Sequence, residues 1–254
     1  MSYIRLMKNK YDLDRNIPNA IKREIRQRDG FGCVICGFGI IQYEHVNPEF
    51  NEAKIHDPKC MTILCPACHA NITTKMWSKE KVIEAMINPK CLSQGYSKQI
   101  FDIGAGFPTI KIGSNVFKNV NAPILVDSTP LLVIDGPENK GEPFKISGKF
   151  LDSEGKDTLE IIENEWHAFS NSWDVEIVGS SITIKEKKGK IHLKLDSEPP
   201  EGINISRLDM QMSDLNIKIE NQELMVVNLR TGQEKIYGGN NFINMRVGVT
   251  IYSE

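Results

Sequence analysis

The sequence predicts an α+β protein: a small N-terminal module of short helices and strands around a four-cysteine zinc site, then an all-β, antiparallel, sandwich-like C-terminal domain. Three observations predict it. All six cysteines fall between Cys33 and Cys91, and none lies beyond. Helical periodicity is confined to the chain before Pro89. After it come short runs that alternate apolar with polar residues, the pattern of strands with one wet face. The boundaries drawn this way are 1–92 for the zinc module, 93–106 for a linker and 107–254 for the β-rich domain.

The elements follow in order. Pro18 to Asp29 reads as a helix: proline suits the first turn, Ile21 and Ile25 are four apart, and Gly30 supplies a stop. Phe31 to Cys36 and Ile40 to Val46 read as two strands of a hairpin around Gly37 and Gly39. Asn47 to Lys59 is polar with two prolines, hence a loop. Met61 to Leu64 is a short apolar run, and His69 to Trp77 reads as a helix. Ser78 is an N-cap for another helix that carries Val82, Ile83 and Met86 on one side and ends at Pro89. Serines and glycines from Ser93 to Gly106 make a connection. Alternating runs then recur at Ser181 to Lys185, Lys190 to Leu195, Leu215 to Glu220 and Met245 to Tyr252. Turn signals at Asp135-Gly-Pro, Lys188-Gly, Glu198-Pro-Pro-Glu-Gly and Gly238-Gly-Asn-Asn punctuate them.

Composition excludes some classes. With 40% hydrophobic and 25% charged residues, the 254-residue chain has globular composition. No apolar run approaches the roughly 20 residues of a membrane span. Met1 to Lys10 has no signal-peptide core. The expectation is a cytoplasmic protein without a membrane partner and with reduced thiols. Residues 1–100 hold 15 Lys+Arg and 10 Asp+Glu, a balance of +5; the remaining 16 and 23 leave −7 for residues 101–254. A polyanionic partner therefore suits the first part and not the second.

Cys33-Val-Ile-Cys36 and Cys65-Pro-Ala-Cys68 supply four thiolates, the set that satisfies tetrahedral zinc. Such a closed site holds the fold and leaves no position for catalysis. The interval of 28 residues between Cys36 and Cys65 exceeds the roughly 15–20 of a simple zinc ribbon. It contains Glu44-His45, and His69 follows Cys68 directly. Glu44 and His69 can share a second cation, leaving His45 as a base, which is the minimum for hydrolysing a phosphodiester. A zinc-deaminase pattern fails, because the order is Glu-His and Leu64 precedes Cys65.

The segments Arg26-Gln-Arg-Asp-Gly-Phe-Gly-Cys-Val-Ile-Cys-Gly, Glu44-His45-Val-Asn-Pro48 and Leu64-Cys-Pro-Ala-Cys-His69 resemble the zinc-containing HNH endonucleases over roughly residues 18–77. The resemblance implies a ββα-metal fold. It places the general base on His45, ligands of a catalytic Mg²⁺ or Mn²⁺ on Glu44 and His69, and structural Zn²⁺ on Cys33, Cys36, Cys65 and Cys68. One position departs. The family's middle Asn, nine residues before the last histidine, is here Cys60. The Asn carbonyl orients the base imidazole, and a thiol is a weak hydrogen-bonding group. Three outcomes stay open: a backbone carbonyl or Asn47, Asn51, His56 or Asp57 orients His45 instead; activity is reduced; or the site only binds.

The implied partner is DNA. Lys22, Arg23, Arg26 and Arg28 on the first helix would contact phosphates without reading sequence, with Lys54, Lys59, Lys75 and Lys79 extending that surface. Bland readings suit the rest. His56 is a surface residue, His192 faces water, Cys91 is a small apolar side chain, and Asp209 to Met212 form a packed edge. The β domain carries no readable motif and would serve a protein partner or ligand. A nuclease joined to a binding domain is a layout of bacterial restriction and anti-phage systems, an analogy of architecture alone. The expected function is metal-dependent endonucleolytic hydrolysis of DNA. Two alternatives stay open: an impaired HNH-fold module that grips nucleic acid without cutting, and a sensor or interaction protein acting through the β domain.

Overall fold

A computed structural model describes residues 8–253. The chain divides into two compact units. One holds the residues up to Lys98 together with Phe169–Asp174, and the other holds Gln99–Ala168 and the residues from Val175 onward. The architecture is α+β, with N-terminal helices beside a four-cysteine cluster and a largely antiparallel β region in several sheets.

In the first unit, α1 (Asn19–Asp29) starts after Pro18 and stops at Gly30, whose φ of 78° lets its N–H return to the carbonyl of Arg26. Strands β1 (Gln42–His45) and β2 (Met61–Leu64) pair antiparallel, with Gln42 opposite Leu64 and His45 opposite Met61. Helix α2 (Pro66–Thr73) follows at once. Cys65 is its N-cap, its Sγ accepting from the Cys68 N–H at 3.4 Å. Helix α3 (Lys79–Ile87) starts on Ser78, whose hydroxyl accepts from the Lys81 N–H, and α4 (Lys90–Gln94) follows Pro89. Every residue of β2 is buried because both its faces are covered. Met61 and Ile63 pack with Ile25 of α1, and Leu64 packs with the cysteines, Ile72 and Val82. Asp29, fully buried, ties α1 to β2 by accepting from the Thr62 hydroxyl at 2.7 Å and the Ile63 N–H at 3.2 Å.

Strand β3 (Tyr96–Ile100) carries the chain into the second unit. There β4 (Thr109–Ile112), β5 (Asn115–Val126), β6 (Thr129–Pro130), β7 (Leu132–Asp135), β8 (Lys145–Leu151), β9 (Asp157–Ile162) and β10 (Glu165–Phe169) follow in order. Next come β11 (Asp174–Val178), β12 (Ser181–Lys187), β13 (Lys190–Glu198), β14 (Gly202–Met212), β15 (Leu215–Glu220), β16 (Glu223–Asn228), β17 (Glu234–Tyr237) and β18 (Asn241–Ile251). Strands β7 to β10 form an antiparallel meander, and β11 to β17 form a longer one. Alternate residues such as Leu195, Ile205, Ile217 and Val226 build the core.

Several expectations need correction. Phe31 to Cys36 is not a strand, and the partner of β1 is β2. The paired cysteines curl this segment instead, with the Gly37 N–H returning to the Cys33 carbonyl at 2.8 Å. The helix expected from His69 to Trp77 starts at Pro66 and ends at Thr73. The connection at 93–106 contains the end of α4 and all of β3. The β region includes parallel pairs, β4 with β14 and β5 with β18, which alternation cannot distinguish from antiparallel ones. His192 is fully buried. Among the described residues no helix is long and apolar enough to cross a membrane.

Candidate metal and catalytic site

The four ligand sulfurs of Cys33, Cys36, Cys65 and Cys68 all lie within 4.8 Å of one another, with Cys36 and Cys65 3.6 Å apart. Tetrahedral zinc with bonds of about 2.3 Å needs sulfurs about 3.8 Å apart, so the cluster fits a structural Zn²⁺. Three of the four are buried and Cys36 is exposed. Hydrogen bonding from the Cys36 thiol brings the Cys33 pKa down to about 5. Burial and then the Cys33 charge push Cys68 up to about 12. The cluster thus favours one thiolate at a time, and four together need a cation's charge. Gly37 is required at the first turn: its φ is +81°, and a Cβ there would lie 2.4 Å from Nε2 of Gln94.

The strand pair and α2 bring Glu44, His45 and His69 to one cavity of about 640 Å³. His69 sits on the first half of α2 and its Nε2 lies 2.9 Å from Glu44 Oε2. The other Glu44 oxygen receives the ammonium of Lys79, which also lies 3.3 Å from the His45 carbonyl. Glu44 and His69 offer one oxygen and one nitrogen at the distance expected of two donors able to share a divalent cation.

His45 is 8% exposed and meets the Phe50 ring edge-on. Burial, then the neighbouring His56, lowers its pKa to about 4, so the imidazole is neutral at pH 7. Its Nε2 is 3.1 Å from Nδ1 of His56, whose Nε2 is 2.8 Å from the carbonyl of Asp14. A carbonyl only accepts, so His56 Nε2 carries the hydrogen and, in the neutral ring, Nδ1 is bare. That bare nitrogen accepts from His45 Nε2–H. The lone pair of His45 is therefore on Nδ1.

Cys60 does not join this arrangement. Its Sγ lies 3.8 Å from Asp57 Oδ2, and it lines a separate hollow with Asn47, Ile83 and Met86. Burial, then the Asp57 charge, raises its thiol pKa. Of the side chains weighed as substitutes for the family's Asn, His56 is the one hydrogen-bonded to His45, and it is buried, not a surface residue. Asn51 lines the cavity without that bond. Lys79, expected only as surface charge, stands on Glu44. No sequence signal singles out His56 or Lys79, because tertiary closure alone delivers them, His56 from a loop and Lys79 from the start of α3.

The basic helix divides in two. Arg26 is buried and pairs bidentately with Asp174, at 3.0 and 2.9 Å, while Nη1 donates to the Tyr43 hydroxyl at 2.8 Å. Arg28 donates to Asp29 and to the carbonyls of Pro58 and Met61. Arg26 is corrected from a phosphate contact to an internal tie, while Arg28, though tied internally, keeps a side chain 34% exposed. Lys22 and Arg23 stay partly exposed, over the Tyr43 and Trp173 rings respectively.

No protein-family model, curated protein or solved structure matches the chain.

Proposed function

We propose that the N-terminal unit is a metal-dependent endonuclease that hydrolyses DNA phosphodiester bonds. The observation that carries this reading is the meeting of Glu44 and His69 at 2.9 Å, beside a neutral, buried His45, in one cavity. It is supported by the strand-strand-helix order β1, β2, α2 next to a zinc-compatible cluster, and by the resemblance to the HNH endonucleases. Glu44 and His69 would hold one Mg²⁺ or Mn²⁺, which supplies charge stabilisation at the phosphoryl and leaving oxygens. His45 Nδ1 would accept the proton of the attacking water. His56 would hold that ring in the tautomer with Nδ1 free, the task that Cys60 does not perform. Lys79 balances the Glu44 charge and would be released towards the phosphate once a cation takes that carboxylate. Lys22 and Arg23 would contact the backbone.

The test is cleavage of supercoiled plasmid by the purified chain with Mg²⁺, Mn²⁺ or EDTA, beside His45→Ala. Metal-dependent nicking that the variant loses supports the reading. Equal cleavage by the variant, or none by the wild type with any metal, refutes it.

A further inference from the structure

The β-rich unit holds a concavity of about 740 Å³ that the nuclease reading does not use. Its size falls within the roughly 300–1,000 Å³ of small-molecule sites. The side chains lining it are Lys194, Asn204, Ser206, Arg207, Asn221 and Gln222, with the backbone of Gly113. Two are cationic and none is a carboxylate.

Lys194 of β13 and Arg207 of β14 stand directly opposite each other in register. Cross-strand neighbours of this kind have Cβ atoms about 4.5–5.5 Å apart, and like charges there destabilise the sheet. Some lysines of these strands show the usual remedy, while others such as Lys118 and Lys235 stand without an ion pair among the described residues. Lys111 pairs with Glu198 at 2.6 Å, Lys190 with Glu186 at 2.6 Å, and Lys218 with Glu220 at 2.8 Å. Lys194 and Arg207 have no such partner among the described residues, although residues 101–254 carry 23 acidic against 16 basic side chains. Asp196, opposite Asn204, does not line the hollow, and Asp209 and Glu220, which share a neighbouring hollow with Arg207, are paired with Lys190 and Lys218. The side chains of Asn204, Ser206, Asn221 and Gln222 also form no hydrogen bond among the described residues. Asn221 and Gln222 form the two-residue turn between β15 and β16 with φ of 50° and 67°. Glycine is favoured at the second position of such a turn, and here a carboxamide is kept over the hollow.

We propose that this concavity binds the phosphoryl group of a small molecule. Arg207 offers a bidentate fork to the oxyanion, and Lys194 adds a point charge. The carboxamides and the Ser206 hydroxyl read the polar remainder of the ligand. The two unpaired cations are then the binding energy of the site held in reserve.

The test is calorimetric titration of the full chain with inorganic phosphate, a nucleoside monophosphate and a 5′-phosphorylated oligonucleotide, at ionic strength held constant with chloride. Wild-type binding of phosphate or the monophosphate is expected, weakened roughly tenfold or more in Lys194→Gln and in Arg207→Gln. Both variants should melt at or above the wild-type temperature without ligand, because the like-charge contact is gone. Lys140→Gln, an exposed lysine outside the hollow, should bind as wild type. No binding by the wild type, binding of the oligonucleotide alone, or equal affinity in the Lys194 and Arg207 variants would overturn the proposal.

Discussion

Arg26 looks like a phosphate contact in the sequence and is an internal strut in the fold, and the two roles separate cleanly on mutation. Its side chain is 6% exposed and that of Asp174 is 1% exposed. Arg26→Gln would leave the Asp174 carboxylate buried without its bidentate partner. Breaking a buried pair from one side costs about 3–5 kcal/mol, against a total stability of about 5–15 kcal/mol. The lost bond to the Tyr43 hydroxyl adds to this in the same direction. Lys22→Ala and Arg23→Ala remove partly exposed cation–π contacts, each worth about 0.5–1 kcal/mol. Urea unfolding of the three variants should therefore single out Arg26→Gln by several kcal/mol. Joining it to Asp174→Asn should recover part of the loss, since no uncompensated charge then stays buried. DNA binding gives the complementary readout. Lys22→Ala or Arg23→Ala should each lower the slope of log K against log salt by about one unit, and Arg26→Gln should leave it unchanged at temperatures where it is folded. An Arg26→Gln protein of wild-type stability with a reduced salt slope would refute the assignment.

Cys65→Ser removes one of four ligands while serine keeps the helix cap, so the protein should lose zinc by elemental analysis and lose stability with it; a zinc-replete, normally stable variant would contradict the cluster's role. His56→Gln should lower kcat for plasmid cleavage by tenfold or more with KM little changed. In ¹⁵N spectra of the histidine rings the wild type should show His45 protonated on Nε2, and a proton on Nδ1 instead would overturn the tautomer argument. His192 is buried with neither ring nitrogen hydrogen-bonded, and burial lowers its pKa from 6.5. The unfolded chain then binds a proton that the folded chain refuses. This part of the stability is present above about pH 6.5 and lost as pH falls towards the lowered folded value, at up to about 1.4 kcal/mol per unit. His192→Leu should raise stability by about 1–3 kcal/mol and flatten that acid limb in urea titrations at pH 5 and 7.5, and an unchanged slope would show that another group titrates there.

What the sequence determined by itself was local. The spacing of Cys33, Cys36, Cys65 and Cys68 pointed to a four-sulfur cluster, because each C-x-x-C segment, one a turn and one a helix start, aims its own two sulfurs locally. Helix α1 with its Gly30 stop, the Ser78 cap and strands such as Ser181–Lys187 were legible for the same reason. Each depends on capping or periodicity over a few residues. Glu44 next to His45, and His69 after Cys68, were legible as candidates because strand and helix carry them in fixed directions. The tertiary structure decided the rest. Asp174 reaches Arg26 from 148 residues away, and His56 reaches His45 by closure of a polar loop. His192 and Leu193 are both buried although adjacent, because register shifts in β13's pairings with β12 and β14 break the alternation that would have put His192 in water. The parallel partners of β4 and β18 follow from chain crossings that leave no mark on a strand's own pattern. Periodicity tells a residue which way to face, and only the closed chain determines what it faces.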